Sequence, residues 1–315
     1  MEFRHEPVLL REVIEWMNVR ADGVYCDGTL GGGGHSEAVL TASGGTAALY
    51  GIDRDENAIR AAGERLKRFP GFHAIHGNFH DGKILLEQAG AGPLDGVLLD
   101  LGVSSPQLDT PERGFSYHEN APLDMRMDRS RGETAADFLN TADEREIMEV
   151  IRDYGEEKWA ARIARMICEH RNIKPLETTF DLVAAVDAAI PKAVRRKEDG
   201  HPARRTFQAV RIRVNDELAP LEQALKDFTD CLKPGGRFCV ITFHSLEDRI
   251  VKRCFRSLEH PCICPPKAPI CTCGRKPQVK VLGGGAIAPS AEETERNPRA
   301  RSAKLRVAEK LNGEA

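Results

Sequence analysis

The sequence predicts an α/β fold in which a mostly parallel sheet is covered by helices and interrupted by a helical insertion. Strand and helix patterns alternate along the first hundred residues, as they do in parallel β-α-β units. A glycine run, Gly31–Gly34, follows the first strand pattern. A gap of 136 residues separates Leu101, at the end of the fourth strand pattern, from Arg237, at the start of the fifth. A crossover needs only about a dozen residues and a helix, so the gap predicts an insertion.

The elements before the gap follow from hydrophobic periodicity. Amphipathic spacing predicts helices, and short apolar runs bounded by turn residues predict buried strands. In chain order we expect a helix over Val8–Met17, a strand over Val24–Asp27, a helix beginning with Ser36–Leu40, a strand over Ala47–Asp53, a helix over Glu56–Phe69, and strands over Phe72–Phe79 and Leu94–Leu101.

After Leu101 the patterns are helical until the sheet resumes. Helical periodicity covers Thr134–Arg171 with a break near Gly155, then Thr179–Ile190, Thr206–Asn215 and Leu218–Leu232. The turn Lys233–Gly236 introduces a strand over Arg237–Phe243, and Val279–Leu282 and Leu305–Ala308 are candidates for the last strands. We therefore expect a sheet domain in two parts, residues 1–108 and 207–315, with a helical insertion over residues 109–206.

Composition limits the classes of function. The chain has 315 residues and a net charge of -3, which excludes a uniformly basic nucleic-acid binder. Charge is nevertheless segregated, because Glu119–Lys158 holds 12 acids and 6 basic residues, whereas Lys192–Arg213 holds 8 basic residues and 2 acids. No apolar run approaches the ~18 residues of a membrane span, and no secretory signal is visible. We expect a cytosolic protein.

The loop Asp27–His35, which reads DGTLGGGGH, indicates a cofactor site. It lies between a strand and a helix, where glycine lets a ligand approach the backbone and the helix N-terminus offers N–H groups. Asp53 ends the next strand, 22 residues after Gly31, where an acid can accept both hydroxyls of an adenosine ribose. Nicotinamide enzymes and S-adenosylmethionine enzymes share this layout, and a turn that binds no ligand is a third interpretation.

Two details favour S-adenosylmethionine. The G-x-G-x-x-G pattern of dinucleotide sites, started at Gly31, ends on Ser36 instead of glycine. The first strand also ends in Asp27, a carboxylate suited to a cationic sulfonium and an amino group.

The end of the fourth strand predicts the reacting centre. Asp100 leaves a buried strand and begins the turn DLGVSSPQ, which contains Pro106. Ligands of open α/β sheets bind at such strand ends. Amino-group methyltransferases carry an acid or Asn followed by a proline-containing turn there, and these groups accept hydrogen bonds from the amine. Asp100 is therefore the predicted catalytic residue, with a strand-end turn acid as the alternative.

Longer motifs resemble the RsmH (MraW) family of 16S ribosomal RNA methyltransferases. They span nearly the whole chain in the family's order and comprise Asp27–His35, Asp100–Ser116, Leu123–Asp128, His201–Ala203 with Arg205–Ile212, Phe243–Arg249 and Asn297–Ser302. The resemblance implies a Rossmann-like class I methyltransferase sheet with a mostly helical domain, inserted between strands 4 and 5, that helps recognise the substrate. It also implies methylation of N4 of a cytidine in the decoding region of 16S rRNA, with S-adenosylmethionine as methyl donor, by direct SN2 transfer.

The resemblance further implies cofactor contacts, and the sequence itself offers candidates for substrate contacts. The cofactor set is Gly32, Gly33, Gly34, His35, Asp53, Phe79, Asp100 and Gln107, with the ring of Phe79 lying against adenine. Candidates for holding the flipped cytidine are His201, Arg205, His244 and Ser245. Candidates for phosphate contacts are Arg195, Arg196, Lys197, Arg204, Arg205, Arg211, Arg213, Arg249, Lys252 and Arg253.

The expected partner is 16S rRNA in an assembled small ribosomal subunit, with no membrane involved. The sequence leaves open the oligomeric state, the group that accepts the final proton, and whether free RNA also serves as substrate. Two other classes of protein compete with this interpretation. One is a non-enzymatic RNA-binding ribosome-assembly factor that retains a cofactor fold, and the other is a nicotinamide oxidoreductase.

Nine cysteines in a chain without a visible signal argue against a disulfide framework. Cys262-x-Cys264 and Cys271-x-Cys273 lie six residues apart and are either reduced loop thiols or zinc ligands. We expect no metal in the catalytic site. Pro261-Cys262 also matches the Pro-Cys pair of carbon-5 cytosine methyltransferases. That nucleophile should follow the fourth strand, however, where this chain has Asp100–Pro106 and no cysteine.

Overall fold

A computed structural model describes residues 7–196, 200–265 and 270–312. Its strands form one sheet of seven in the order β3-β2-β1-β4-β5-β7-β6. The strands are β1 Val24–Asp27, β2 Ala48–Asp53, β3 Phe72–His76, β4 Leu94–Asp100, β5 Leu232–Thr242, β6 Val279–Ile287 and β7 Lys304–Lys310. Strands β1 to β5 pair in parallel, and β7 is antiparallel to both β5 and β6.

Fourteen α-helices lie within the described residues. They are α1 Leu10–Met17, α2 Gly34–Ala42, α3 Glu56–Leu66, α4 Gly82–Gln88, α5 Ser105–Asp109, α6 Ala135–Thr141, α7 Glu144–Gly155, α8 Ala160–Arg171, α9 Thr179–Ala189, α10 Lys192–Arg195, α11 Arg204–Asn215, α12 Leu221–Cys231, α13 Ser245–Glu259 and α14 Ala291–Arg296. Among the described residues, no helix is long and apolar enough to cross a membrane.

The chain divides into two compact units. The sheet unit comprises residues 1–102 and 219–315, and the helical unit comprises residues 103–218. The helical unit is inserted between β4 and β5, which confirms the predicted topology. It extends beyond the predicted range 109–206 at both ends. Val103 and Leu108 pack against its core before that range, and α11 adds Phe207, Ala209 and Val210 after it.

Both faces of the sheet are covered by apolar side chains, as a parallel sheet requires. Leu98 of β4 packs in one layer, whereas its neighbours Val97 and Leu99 pack in the other. In β5, Cys239 faces the first layer and Val240 the second. This alternation follows from the two-residue period of a strand, and it fixes the register that brings the strand ends together.

Several predicted elements were wrong in extent. The fifth strand begins at Leu232 and includes the predicted turn Lys233–Gly236, and the sixth continues to Ile287. The third strand ends at His76, three residues before Phe79, because Asn78 caps a 3-10 helix over Phe79–Asp81 by accepting a hydrogen bond from the backbone of His80. The helical run Thr134–Arg171 is three helices, α6, α7 and α8. Sequence analysis missed the break before α7, where the Asp143 side chain accepts a hydrogen bond from the Glu146 amide and begins a new helix.

Gly155 ends α7, close to the predicted break, and its position has a steric reason. A Cβ atom on Gly155 would lie 2.8 Å from the carbonyl oxygen of Arg205 in α11 and 3.3 Å from the Cβ of Ala209. The two helices therefore cross with their backbones in near contact, and only glycine allows that approach.

Candidate cofactor and active site

The glycine loop between β1 and α2 has the strained backbone that glycine allows. Gly31 and Gly33 have φ angles of 50° and 76°, and Gly33 caps α2 without a side-chain hydrogen bond. A Cβ atom on Gly33 would lie 3.1 Å from Leu66 Cδ1 and 3.2 Å from Ala62 Cβ, whereas one on Gly32 would meet nothing within 4 Å. The space over Gly32 and the first-turn amides of α2 can therefore receive a ligand.

Asp53, at the end of β2, holds this loop in place. Its Oδ2 accepts a hydrogen bond of 2.8 Å from the Gly31 amide, and its Oδ1 accepts one of 2.8 Å from the Asp55 amide. Burial raises the pKa of Asp53, and these two amides oppose the shift. Each carboxylate oxygen keeps a second lone pair for a ligand hydroxyl. Sequence analysis found Asp53 but missed its hydrogen bond to the glycine loop.

Asp100 ends β4, and it carries a buried oxygen with an unused hydrogen-bonding capacity. Its amide donates to Thr29 Oγ1 at 2.6 Å, which ties it to the glycine loop. Its Oδ2 lies 3.6 Å from Nε2 of His35. Its Oδ1 and both ring nitrogens of His35 are buried and have no hydrogen-bond partner among the described residues. Such groups are costly unless a ligand or water satisfies them.

Asp27 is a second buried acid at this edge of the sheet. It accepts hydrogen bonds from the Ser36 hydroxyl at 2.7 Å and the Thr29 amide at 3.1 Å. Burial raises its pKa to about 6, and Asp100 adds to the shift while Ser36 and His35 oppose it. The strand ends thus gather three carboxylates, Asp27, Asp53 and Asp100, which attract a cationic ligand.

Phe79 lies in the 3-10 helix after β3 and not in the strand itself. It is buried in one core layer of the sheet unit, and its ring is 4.3 Å from that of His80. Burial lowers the pKa of His80 to about 4, and its Nε2 is buried without a partner among the described residues. Contact between Phe79 and adenine stays a prediction.

His244 and Ser245 lie where β5 passes into α13. His244 is the N-cap of α13, and its Nε2 is 3.0 Å from Oε1 of Glu247. The other carboxylate oxygen of Glu247 accepts hydrogen bonds from the amides of Phe243, at 2.9 Å, and His244, at 3.3 Å. Glu247 is 2% exposed, so this capping network rigidifies the strand end. Ser245 is exposed and begins the helix.

Three predicted site residues belong to the helical unit. Gln107 accepts a hydrogen bond of 3.1 Å from the Ser104 amide and closes the capping box of α5. His201 stacks on Tyr117, with ring centroids 4.6 Å apart, and its pKa is lowered by burial and by His118. Arg205 lies 3.7 Å from the buried carboxylate of Glu157. Sequence analysis missed Tyr117, although it follows the motif Gly114–Ser116.

Several basic residues predicted to meet phosphates are instead paired within the helical unit. Arg211 makes two hydrogen bonds of 2.9 Å to Glu217. Arg213 bonds to Glu133 and Glu146, and Arg195 lies 2.7 Å from Asp187. These pairs compensate acids of the same unit. Lys197 lies outside the described residues, whereas Arg204, Arg249, Lys252 and Arg253 are exposed.

The residues of the sheet unit fit S-adenosylmethionine. The unpartnered Oδ1 of Asp100, the open space over Gly32 and the three acids at the strand ends suit a ligand with hydroxyl, amino and sulfonium groups. The strand order with an antiparallel seventh strand is that of a Rossmann-like class I methyltransferase sheet. The predicted fold class is therefore confirmed.

Sequence comparisons agree with this geometry. A profile of the MraW methylase family matches residues 2–311. Ribosomal RNA small subunit methyltransferase H of Clostridium botulinum (strain Kyoto / Type A2) is 50% identical over 311 residues, covering 99% of this chain and 100% of that protein. The proteins of the same name from Trichlorobacter lovleyi and Heliobacterium modesticaldum are 53% and 52% identical, covering 98% and 99% of this chain and 99% and 100% of theirs.

Among solved structures, a SAM-dependent O-methyltransferase from Thermotoga maritima is similar with a TM-score of 0.43 and 11% sequence identity. The alignment covers 100% of this chain and 70% of that one. With the family profile matched over nearly its whole length and relatives at half identity end to end, the chain belongs to the MraW methylase family and is an S-adenosylmethionine-dependent methyltransferase.

Proposed function

We propose that the protein methylates small-subunit ribosomal RNA in the cytoplasm, at N4 of a cytidine in the decoding region of 16S rRNA. The observation that carries this proposal is Asp100, whose buried Oδ1 has no partner among the described residues at the end of β4. An exocyclic amine is a donor that would satisfy this oxygen. The relatives named ribosomal RNA small subunit methyltransferase H support the choice of RNA.

In this proposal the sheet unit holds the methyl donor. Asp53 accepts from ribose hydroxyls through the lone pairs that the Gly31 and Asp55 amides leave unused. Gly32, Gly33, Gly34 and His35 border the part of the ligand that approaches the start of α2. Asp27 supplies negative charge for the cationic groups. Phe79 completes the sheet-unit set on the family resemblance alone. Gln107, which belongs to the helical unit, is a further cofactor contact on the same ground.

When bound, S-adenosylmethionine would supply an activated methyl group for direct SN2 transfer to the cytidine nitrogen, an N–C bond replacing the S–C bond. The nitrogen lone pair is delocalised into the ring. Asp100 accepts a hydrogen bond from the amine, favours a pyramidal nitrogen, and stabilises the positive charge that develops on it. The product ammonium then loses one proton, and no covalent enzyme intermediate is required.

We assign substrate recognition to the helical unit. Tyr117 and His201 form a stacked, partly exposed aromatic pair, which is the kind of surface on which an unstacked base is held. Arg205, on the same unit, contacts phosphate in this proposal and also balances the charge of Glu157. His244 and Ser245, at the start of α13, are the candidates from the sheet unit. An assembled small subunit is the proposed substrate.

The test is methyl transfer from labelled S-adenosylmethionine to unmethylated small subunits, followed by nucleoside analysis. The wild-type protein should place label in N4-methylcytidine. Asp100→Ala should lower kcat by about 10²–10³-fold, the usual cost of removing one electrostatic contact to the reacting group. Asp230→Ala, which removes an acid of α12 that is half exposed, is the matched control and should retain activity.

Other outcomes decide against the proposal. Label in 5-methylcytidine would move the chemistry to ring carbon 5 and to a cysteine nucleophile. Cofactor binding by calorimetry, with no label on subunits or naked RNA, would favour an assembly factor without this activity. Binding of NADH in place of S-adenosylmethionine would favour an oxidoreductase.

A further inference from the structure

Four cysteine thiols converge in the segment between α13 and β6. The Sγ atom of Cys271 lies 3.6 Å from that of Cys262, 3.9 Å from that of Cys264 and 3.5 Å from that of Cys273. The Sγ atoms of Cys262 and Cys273 are 3.9 Å apart, and all four lie within 4.8 Å of one another. All four cysteines are free thiols, since a disulfide would bring two sulfurs to about 2.0 Å.

These distances match the edges of a zinc tetrahedron. Zinc–thiolate bonds are about 2.3 Å long, and a regular tetrahedron with that bond length has sulfur–sulfur edges of about 3.8 Å. The four closest edges here, 3.5 to 3.9 Å, bracket this value. A cluster with two or more iron atoms would separate the thiolates that bind different irons, so the geometry points to a single ion.

A backbone amide also reaches one of these sulfur atoms. The Thr272 amide donates to Sγ of Cys264 at 3.4 Å. Such an N–H···S hydrogen bond orients a thiolate ligand and offsets part of its negative charge.

Among residues 260–265 and 270–278, which are the described part of this segment, none is fully buried. Ile263 and Ile270 are 67% and 75% exposed, so they contribute little to an apolar core. The base of the segment is anchored, since the Gln278 amide donates to the Leu258 carbonyl at 2.8 Å and the Gln278 carbonyl accepts from the Leu311 amide at 2.9 Å. A segment that buries so little apolar surface commonly depends on a metal or a disulfide for its structure.

We propose that Cys262, Cys264, Cys271 and Cys273 bind one zinc ion, which cross-links the segment between α13 and β6. The site has four protein ligands and no open position, so its role is structural. It is independent of the proposed methyl transfer, because none of the four cysteines belongs to the proposed cofactor or substrate set. The pairing of Pro261 with Cys262 then reflects a ligand turn, not a carbon-5 nucleophile.

The test uses the full chain, purified without chelator under reducing conditions. Elemental analysis should find one zinc per chain, and a thiol-reactive mercurial should release it. Cobalt(II) added to the metal-free, reduced protein should give the intense visible bands of tetrahedral cobalt thiolate, and added zinc should abolish them. A protein whose thiols titrate as reduced, yet which shows neither zinc nor these cobalt bands, would overturn the proposal.

Variants then locate the metal. Cys271→Ser removes the sulfur that touches the other three and should lower the bound metal at least tenfold, with faster proteolysis of residues 260–278. Cys168→Ser, in α8 of the helical unit, is the matched control and should keep one zinc per chain. Loss of metal from Cys168→Ser and not from Cys271→Ser would contradict the assignment.

If Cys271→Ser fails to fold, the cobalt titration of the wild-type chain still decides. Unchanged S-adenosylmethionine affinity in Cys271→Ser separates this test from that of methyl transfer.

Discussion

At the scale of single residues, the glycine loop contains two neighbouring positions with different constraints. Gly33 has a φ of 76° and close neighbours in Leu66 and Ala62, whereas Gly32 faces open space. The sequence predicts that both glycines contact the cofactor. Their separate roles depend on their backbone angles and on contacts with α3, which is distant in the sequence.

A pair of alanine variants separates these roles. Gly33→Ala should destabilise the fold by about 1–2 kcal/mol, because it forces a left-handed backbone on alanine. Gly32→Ala should change stability by less than about 0.5 kcal/mol but lower S-adenosylmethionine affinity at least tenfold. Urea denaturation and calorimetric titration measure the two quantities. A normal affinity for Gly32→Ala would show that no ligand approaches this residue.

Asp27 predicts a pH dependence of stability. Its pKa rises from 3.8 to about 6 on burial, so the folded state retains a proton that the unfolded state has lost. Protonated Asp27 makes its full contribution to stability below pH 3.8. As the pH rises to about 6 this contribution is lost, and the free energy of unfolding falls by about 3 kcal/mol for a shift of two pKa units. The wild-type protein should therefore lose stability relative to Asp27→Asn over this range.

The measurement is the difference in free energy of unfolding between Asp27→Asn and the wild type at several pH values from 4 to 7. Titrating groups that do not interact with Asp27 cancel in this difference, and any hydrogen bond lost to asparagine gives a constant offset. A flat difference for Asp27→Asn would mean that Asp27 ionises normally in the folded protein.

At the scale of elements, the helical unit depends on the close crossing of α7 and α11. Gly155 lies at that crossing, where a Cβ atom would meet the Arg205 carbonyl at 2.8 Å. Gly63, in α3, would carry a Cβ atom with nothing within 4 Å. The two glycines are alike in sequence terms, since each interrupts a helical pattern, and only the neighbouring helix distinguishes them.

Alanine at these two glycines should have opposite effects. Gly155→Ala should destabilise the protein by about 1–3 kcal/mol, the usual cost of overpacking. Gly63→Ala should stabilise it by up to about 1 kcal/mol, because alanine is the better helix former. Urea denaturation of both variants beside the wild type measures this. Equal effects of the same sign would mean that the α7 and α11 backbones do not approach each other closely at Gly155.

At the scale of the whole molecule, the proposed RNA substrate would have to be bound by a protein with a net negative charge. The net charge is -3, and pairing within the helical unit engages Arg195, Arg211 and Arg213. Exposed basic residues such as Lys252 and Arg253 on α13 are therefore the better candidates for phosphate contacts. The sequence showed where basic residues are dense, and the fold showed which of them are already paired.

The double variant Lys252→Ala/Arg253→Ala should weaken RNA binding and flatten its salt dependence. Two lost phosphate contacts reduce the slope of log K against log salt by roughly 1.5 to 2. Arg145→Ala/Arg152→Ala is the matched control, because these exposed arginines pair with Glu149 and Asp153 in the acidic segment. Binding measured between low and moderate salt distinguishes them. An unchanged slope for the α13 variant would place the RNA elsewhere.

Local patterns in the sequence determined much of the fold. The alternation of strands and helices, the insertion between β4 and β5, and the acids at the ends of β1, β2 and β4 all follow from periodicity and from the short range of backbone hydrogen bonds. The family motifs added the expectation of a methyltransferase, since that activity depends on combinations of residues that no single element reveals.

Only the tertiary structure decided which side chains satisfy one another. It placed Asp53 on the Gly31 amide and His35 beside Asp100, and it brought four cysteine sulfurs to tetrahedral spacing. Such pairings depend on sheet order and on the packing of distant segments, and chain spacing does not encode these directly. The unmet hydrogen-bonding capacity of Asp100 is a property of the packed strand end, and it therefore became visible only in the folded molecule.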